Sequence, residues 1–217
     1  MVRKRWRPVG RKHPMKRRSR IWLAAPVVMI LLAVGYVILR PPVYPADGQT
    51  AESRPGGRVE TRYGPMEDSD RDLLVKVRQA GLWEAPTGQQ AQQRASSPKV
   101  KEVGAHLAIE HAELDADVRK VADQLGVVLP TRASGQQEAW MAELSALRGA
   151  PYDRLFVHRL RVAHGKVFAI IAQVRASTGN SVIRAFAERG LKIVARHMQY
   201  LESTGLVDFP RLYRDVH

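Results

Sequence analysis

The first long apolar run of the chain lies near its N-terminus. Residues 21–39 form nineteen consecutive residues without a charge, and as a helix they would be about 28 Å long at about 1.5 Å per residue. That length is close to the hydrocarbon core of a bilayer, about 30 Å. Trp22 and Tyr36 stand near the two ends, where aromatic side chains favour the membrane interface. The run therefore predicts a transmembrane helix at 21–39.

The charges around this run predict its orientation. Residues 1–20 contain ten Lys or Arg and no acidic residue, whereas the residues that follow the run are mixed in charge. The positive-inside rule places this basic tail in the cytoplasm and residues 40–217 outside the membrane. A cleaved signal peptide is the alternative, but it requires a shorter apolar region and a small-residue cleavage site. The run is longer than that and is followed by RPPVYPADG, so an uncleaved anchor in the membrane lipid is favoured.

The rest of the chain reads as a linker followed by a helical domain. Residues 40–66 are rich in proline and glycine and predict a spacer with little apolar surface to bury. From Asp68 onward, apolar residues recur at steps of three and four, as they do on one face of a helix. No run of alternating apolar residues predicts a strand. The predicted helices span 68–95, 98–125, 135–147, 151–177 and 180–203.

This set of helices predicts an all-α fold. Four long amphipathic segments with short connections are typical of an antiparallel four-helix bundle, which would occupy 67–204 and leave a C-terminal tail at 205–217. Pro86 and Gly88 lie inside the first helix and are expected to kink it or split it.

One ionisable residue interrupts the apolar seam of each long helix. In chain order these residues are Glu84, His111, His164 and His197. The first two lie 13 and 14 residues on either side of Ser97, in the first helix connection, and the last two lie 16 and 17 residues on either side of Asn180, in the last one. Antiparallel packing therefore predicts that all four share one layer inside the bundle.

A layer of three imidazoles and one carboxylate offers the donor atoms of a transition-metal or zinc site. Glu110 and Glu113 flank His111 and could accept a hydrogen bond from a histidine ring. The Glu-x-x-His spacing of dinuclear iron bundles does not occur, so a single metal ion is expected. Two other interpretations stay open: a hydrogen-bonded polar layer that sets the helix register, and exposure of some of these side chains through rotation of the helices.

Composition excludes several classes of function. The chain has no cysteine, which excludes disulfides, thiolate zinc sites and cysteine nucleophiles. The net charge is +14, but residues 1–20 hold ten of the 35 basic residues, and the remaining 35 − 10 = 25 face 21 acidic residues. No nucleic-acid partner is therefore expected.

No Gly-x-Ser-x-Gly turn or phosphate-binding loop is present, so no catalytic residue is assigned. His106, His158 and His217 fall off the seams and are expected on the surface.

The helical segments also resemble a known family. VKEVGAHLAIEHAELDADVRKVADQLGVVLP resembles the second helix of a bacterial ferritin-like family, domain of unknown function four-one-four-two, and GLWEAPTGQQAQQ, YDRLFVHRLRVAHGKVF and ARHMQYLES extend the resemblance over about 68–204. The resemblance implies a ferritin-like bundle outside the cytoplasm, since members are described as outer-membrane or secreted proteins. It implies recurrent polar positions at Glu84, His111, His164 and His197. Pro86 and the basic leader depart from the family pattern.

Two functions of different classes are compatible with these features. The first is a membrane-anchored, extracytoplasmic ferritin-like bundle that binds a metal through its Glu/His layer. The second is a non-catalytic structural or interaction module of the cell envelope. Membrane lipid is the partner expected through residues 21–39, and the sequence identifies no protein partner.

Overall fold

The computed structural model of the protein describes residues 57–216. The predicted basic tail, the predicted transmembrane helix and most of the predicted linker lie outside the described residues. Within 57–216, none of the helices is both long enough and apolar enough to span a bilayer.

Six helices and one short hairpin make up the described chain, which confirms the all-α class. The elements are β1 (Val59–Thr61), β2 (Gly64–Met66), α1 (Asp68–Arg94), α2 (Pro98–Leu125), α3 (Gly135–Ser145), α4 (Gly149–Ser177), α5 (Ser181–Glu202) and α6 (Phe209–Val216). The first five helices begin and end within two residues of the predicted bounds. The reason is local chemistry at their ends: Ser97 caps α2 ahead of Pro98, and Gly126 ends it with a φ of 66°.

The four long helices pack in a closed ring in which α1 and α5 each contact both α2 and α4. Short turns join α1 to α2 and α4 to α5, so each of these pairs is an antiparallel hairpin. The crossover from α2 to α4, residues 126–148, runs along α1 from one end of the bundle to the other. Near its start Arg78 of α1 donates to the carbonyl of Pro130, and near its end Arg94 of α1 donates to the carbonyl of Leu147. The crossover therefore returns the chain to the far end of the bundle, and α4 runs antiparallel to α1.

Buried polar side chains hold the two ends of this bundle. At one end Asp153, five residues into α4, accepts hydrogen bonds from the backbone N–H groups of Ser96 and Ser97 in the α1–α2 turn. At the other end the side chain of Asn180 accepts from the backbone N–H groups of Val182 and Ile183 and so caps α5. Side-chain to backbone hydrogen bonds therefore stabilise the turn of each helical hairpin.

The prediction that the chain contains no strand is wrong at residues 59–66, which form a short hairpin. β1 and β2 pair in antiparallel register, with Val59 opposite Met66, inside the stretch that was predicted to be linker. The hairpin is held by the α4–α5 turn, because Asn180 donates to the carbonyl of Gly64 and Ser181 donates its backbone N–H to Tyr63. Strands of three residues are too short to show an alternating pattern, so tertiary contacts decide their existence.

The first helix is expected to be kinked or split at Pro86, and it is not split, because α1 runs without interruption through this residue. Packing compensates for the lost hydrogen bond: the following turn buries Thr87, Gly88 and Ala91. A Cβ at Gly88 would lie 2.4 Å from the backbone oxygen of Gly104 on α2. The glycine is therefore a point of close helix approach and not a helix breaker.

The C-terminal helix changes the environment of one histidine. His158 was expected on the surface, but it is 7% exposed and its Nε2 lies 2.8 Å from Asp215 of α6. That prediction is wrong because α6 covers this face of α4, where Leu212 is buried. His106 is exposed as expected, and His217 lies outside the described residues.

The interior consists of two apolar clusters, one in each half of the bundle. One cluster includes Leu73, Leu74, Val77, Leu114, Val118, Ile171, Ile183, Phe186 and Val194. The other includes Trp83, Val100, Val103, Leu107, Tyr152, Phe156, Leu160 and Leu201. Along α2, α4 and α5, the residues between the two clusters are those at the level of His111, His164 and His197.

We expect Gly88→Ala to destabilise the bundle by about 1–2 kcal/mol. The methyl group must displace the backbone of α2, and overpacking of this kind costs about 1–3 kcal/mol, while the higher helix propensity of alanine offsets less than about 1 kcal/mol. Urea unfolding followed by circular dichroism measures the change. Gly135→Ala is the matched control, since nothing lies within 4 Å of its Cβ position. Equal stability of Gly88→Ala and the parent would contradict the close approach.

Candidate metal centre

The structure brings the four predicted seam residues together in the middle of the bundle. Glu84, His111, His164 and His197 are each at most 3% exposed. Glu84 Oε2 lies 2.8 Å from His111 Nε2 and 3.3 Å from His164 Nε2. His164 Nε2 lies 3.0 Å from His197 Nδ1, and one nitrogen from each imidazole lies within 4.8 Å of the others. The predicted layer therefore exists.

Each side chain reaches this layer because it occupies a seam position of its helix. His111 follows Leu107 and precedes Leu114, and both of these neighbours are buried. The close approach of α1 and α2 one turn beyond Glu84 brings that carboxylate to the level of His111. Rotation of the helices that would expose these side chains does not occur.

Hydrogen bonds to outer groups orient two of the three imidazoles. His164 Nδ1 lies 2.8 Å from the carbonyl oxygen of Leu160, so this nitrogen carries the proton and donates. His197 Nε2 lies 3.2 Å from a carboxylate oxygen of Glu110 and donates to it. In neutral rings the opposite nitrogens, His164 Nε2 and His197 Nδ1, then carry lone pairs. These two nitrogens face each other, and neither has a proton to give the other.

His111 and one oxygen of Glu84 have no hydrogen bond of good geometry. His111 Nε2 and Glu84 Oε2 lie 2.8 Å apart, and both atoms are buried without a hydrogen-bond partner. A buried polar atom without a partner costs about 1–3 kcal/mol. A cation in contact with both atoms would remove this cost.

The electrostatics of the layer couple Glu84 to its histidine neighbours. Burial raises the pKa of Glu84, but attraction to the protonated forms of His164 and His111 outweighs burial, and the pKa of Glu84 lies below the ordinary value. Burial lowers the pKa of His164, and Glu84 offsets this only in part. Burial lowers the pKa of His197 strongly, with further lowering from His164 and His111. An ionised carboxylate and neutral imidazoles are the forms that bind a cation.

The separations also suit one metal ion. Donor atoms bound to a single ion at about 2.0–2.1 Å in tetrahedral geometry lie about 3.4 Å from one another. Three of the separations among Glu84 Oε2 and the ring nitrogens are 2.8, 3.0 and 3.3 Å, and the three imidazoles have donor nitrogens within 4.8 Å of one another. Adjustment of the side chains would bring these atoms to the distances that one ion requires. The three imidazoles fit a mononuclear site, with Glu84 beside them as a candidate oxygen donor.

One of the two predicted outer acceptors is confirmed. Glu110 accepts from a histidine ring, that of His197 on the facing helix, and its carboxylate also pairs with Arg196 and accepts from the hydroxyl of Tyr200. Glu113 is exposed and contacts none of the three histidines. Sequence spacing identifies residues on one face of a single helix, whereas the partner of a ring nitrogen depends on how two helices face each other.

The carbonyl of Leu160 is a second outer partner, and the spacing of polar residues along the sequence does not identify it. A helical histidine can donate to the carbonyl four residues earlier, so the position of His164 on a long helix was the available signal. Tyr200 and Arg196 lie within one turn of His197 on α5, and nothing else in the sequence indicates that they contact Glu110.

The fold and this layer define a class of protein: a four-helix bundle with a buried three-histidine, one-glutamate cluster at its centre. The chain belongs to the family described as Domain of unknown function (DUF4142), whose sequence profile matches residues 59–203. No curated protein and no solved structure matches the chain.

We expect acid to lower the stability of the metal-free protein. The folded state keeps His164 and His197 neutral because their pKa values are lowered, whereas in the unfolded chain histidines titrate near about 6.5. Below that pH the unfolded state binds more protons, so stability decreases as pH falls. Urea unfolding in a chelator at about pH 7.5 and about pH 5.5 measures this, the two values bracketing the ordinary histidine pKa.

The variant His197→Gln should show a smaller difference between the two pH values. The difference should not vanish, because burial also lowers the pKa of His158. Equal stability of the parent protein at both pH values would contradict neutral burial of these rings.

Proposed function

We propose that this chain is a membrane-anchored, extracytoplasmic, ferritin-like bundle that binds one transition-metal or zinc ion through Glu84, His111, His164 and His197. The observation that carries the proposal is the convergence of unprotonated ring nitrogens. His164 Nε2 and His197 Nδ1 face each other at 3.0 Å while each ring donates outward from its other nitrogen. Such outer hydrogen bonds are the usual means by which proteins orient metal-binding histidines.

The connectivity supports the ferritin-like part of the proposal. Two antiparallel hairpins, α1–α2 and α4–α5, are joined by one crossover at 126–148 that runs the length of the bundle. Ferritin-like folds are four-helix bundles with one such long connection, and their metal ligands project inward from facing helices. The layer described above has that placement.

The membrane anchor is the second part of the proposal and rests on the sequence. The uncharged run at 21–39 and the ten basic residues before it predict a single span with the bundle outside. Topology mapping with reporter fusions before residue 20 and after residue 217 would test it. A bundle reporter found on the cytoplasmic side would overturn this part and leave the metal site unaffected.

Metal analysis of the full chain, purified in detergent, tests the site. We expect one equivalent of a divalent transition metal or zinc per chain and a higher melting temperature when it is bound, since a ligand that binds only the folded state stabilises it. His111→Ala and His164→Ala should each abolish binding, because each removes a nitrogen donor from the layer.

The matched control is His106→Ala, which removes an exposed imidazole from the same helix as His111 and should leave the stoichiometry unchanged. A chain that contains no metal, and that neither binds added zinc, iron or manganese nor melts at a higher temperature with them, would refute the metal site. The Glu/His layer would then be a structural feature of an envelope protein that does not bind metal.

Glu110→Gln should weaken metal binding without removing a ligand. Glu110 holds His197 through the ring Nε2 at 3.2 Å, and the loss of such an outer partner typically costs about 10–100-fold in metal affinity. Competition with a coloured chelator measures the affinity. Glu113→Gln, on the same helix but exposed, is the control and should bind as the parent does. Equal affinities of both variants and the parent would contradict a positioning role for Glu110.

A further inference from the structure

A buried indole N–H lies beside the candidate metal centre without a hydrogen-bond partner. Trp83 immediately precedes Glu84 on α1, its side chain is 0% exposed, and its Nε1 is buried and unbonded. An indole N–H can only donate a hydrogen bond, and a buried donor without an acceptor costs about 1–3 kcal/mol. An acceptor close to this N–H would therefore stabilise the bundle.

Packing prevents the indole from donating to water. Trp83 belongs to the apolar cluster that contains Leu107 and Leu160. Its ring contacts that of Trp140 on α3, with the ring centroids 5.4 Å apart and the ring planes inclined by 58°. The guanidinium of Arg159 in turn lies 5.6 Å from the centre of the Trp140 ring. The acceptor for Trp83 must therefore be a protein group inside the bundle.

The carboxylate of Glu84 is an acceptor within reach. Burial raises the pKa of Glu84, and attraction to protonated His164 and His111 lowers it. The indole N–H of Trp83 adds a smaller lowering of the same pKa, because it lies close to the carboxylate. Glu84 Oε2 is itself buried without a hydrogen-bond partner. A donor and an acceptor that both lack a hydrogen bond are thus neighbours.

We propose that Trp83 is a positioning residue for the metal, whose indole N–H donates to one oxygen of Glu84 while the other oxygen binds the ion. The inference rests on the proposed metal site. Carboxylates that bind metals are themselves held by outer hydrogen bonds. An oxygen that accepts from Trp83 is not available to the ion, so Glu84 supplies one donor atom. With three imidazole nitrogens the ion then has four donors, the number that zinc favours.

This hydrogen bond also influences which coordination number the site supports. Without the indole N–H, Glu84 is free to bind an ion through both oxygens, as carboxylates do in calcium sites, and the ion would then have five donors. Four-coordinate Co²⁺ absorbs visible light more strongly than five-coordinate Co²⁺. The spectrum of the Co²⁺-loaded chain therefore distinguishes the two arrangements.

Co²⁺ binding to the full chain, purified in detergent, tests the role of Trp83. Trp83→Phe keeps an aromatic ring and removes the N–H. We expect this variant to bind Co²⁺ about 10–100-fold more weakly, measured by competition with a coloured chelator, and to show weaker visible absorption when loaded.

The matched control is Trp140→Phe, which makes the same change in the ring that packs against Trp83 and leaves the donor beside Glu84 in place. It should have the affinity and the spectrum of the parent. Equal losses in the two variants would assign the effect to packing and overturn the hydrogen bond.

A second measurement requires no change at Trp83. The chain has four tryptophans, and in the ¹⁵N-labelled full chain the indole signals of Trp6, Trp22 and Trp140 are assigned by replacing each with Phe. The remaining indole signal belongs to Trp83. Zn²⁺ should shift its proton signal downfield, as expected for an N–H that donates to a carboxylate, and shift that of Trp140 less. A Trp83 signal that saturating Zn²⁺ leaves unchanged would overturn the inference, even if Trp83→Phe failed to fold.

These experiments separate the failure of the metal site from the failure of the role of Trp83. If the parent chain binds neither Co²⁺ nor Zn²⁺, the metal site is refuted and the role of Trp83 with it. If the parent binds Co²⁺ and Trp83→Phe has the same affinity and spectrum, the metal site stands and the role of Trp83 is refuted. Weaker binding and weaker absorption in Trp83→Phe alone support both.

Discussion

The structure depends on the burial of one carboxylate and three imidazoles between two apolar clusters. Charged and polar groups leave water at a cost of several kcal/mol each unless they find partners. Here the four side chains come from four different helices, so they meet only when α1, α2, α4 and α5 are in register. A shift of one helix by a turn would place Glu84 or a histidine against leucine and valine. The layer therefore specifies how the helices align.

The layer is only partly satisfied by hydrogen bonds from protein groups. His164 and His197 have outward partners in the carbonyl of Leu160 and in Glu110. His111 has none at either ring nitrogen, and Glu84 Oε2 has none. His111 Nε2 and Glu84 Oε2 lie 2.8 Å apart. A cation bound beside them would satisfy Glu84 Oε2 and one nitrogen of His111, which is why we propose metal binding for this layer.

The two sides of the layer have different surroundings: one is closed by hydrogen bonds, and the other lies beside a cleft. On the α2–α5 side, Glu110 links His197 to Arg196 and Tyr200 near the surface. This side is closed by hydrogen bonds and holds the ring in place. On the α1–α4 side, a cleft with lysines on its rim has Glu84 in its wall. The two sides of the layer therefore differ in their surroundings.

The sequence by itself determined the helices and the four residues of the layer. Caps and seams are local, because a serine before proline, or an ionisable residue in an apolar stripe, acts within a few turns of one helix. Equal spacing from two turns was then enough to predict a shared level. Tertiary structure alone decided the rest. Pro86 stays helical because its neighbours pack against α2, the hairpin at 59–66 exists because the α4–α5 turn binds it, and α6 buries His158. Each of these outcomes depends on contacts between residues far apart in the chain, and no local pattern records them.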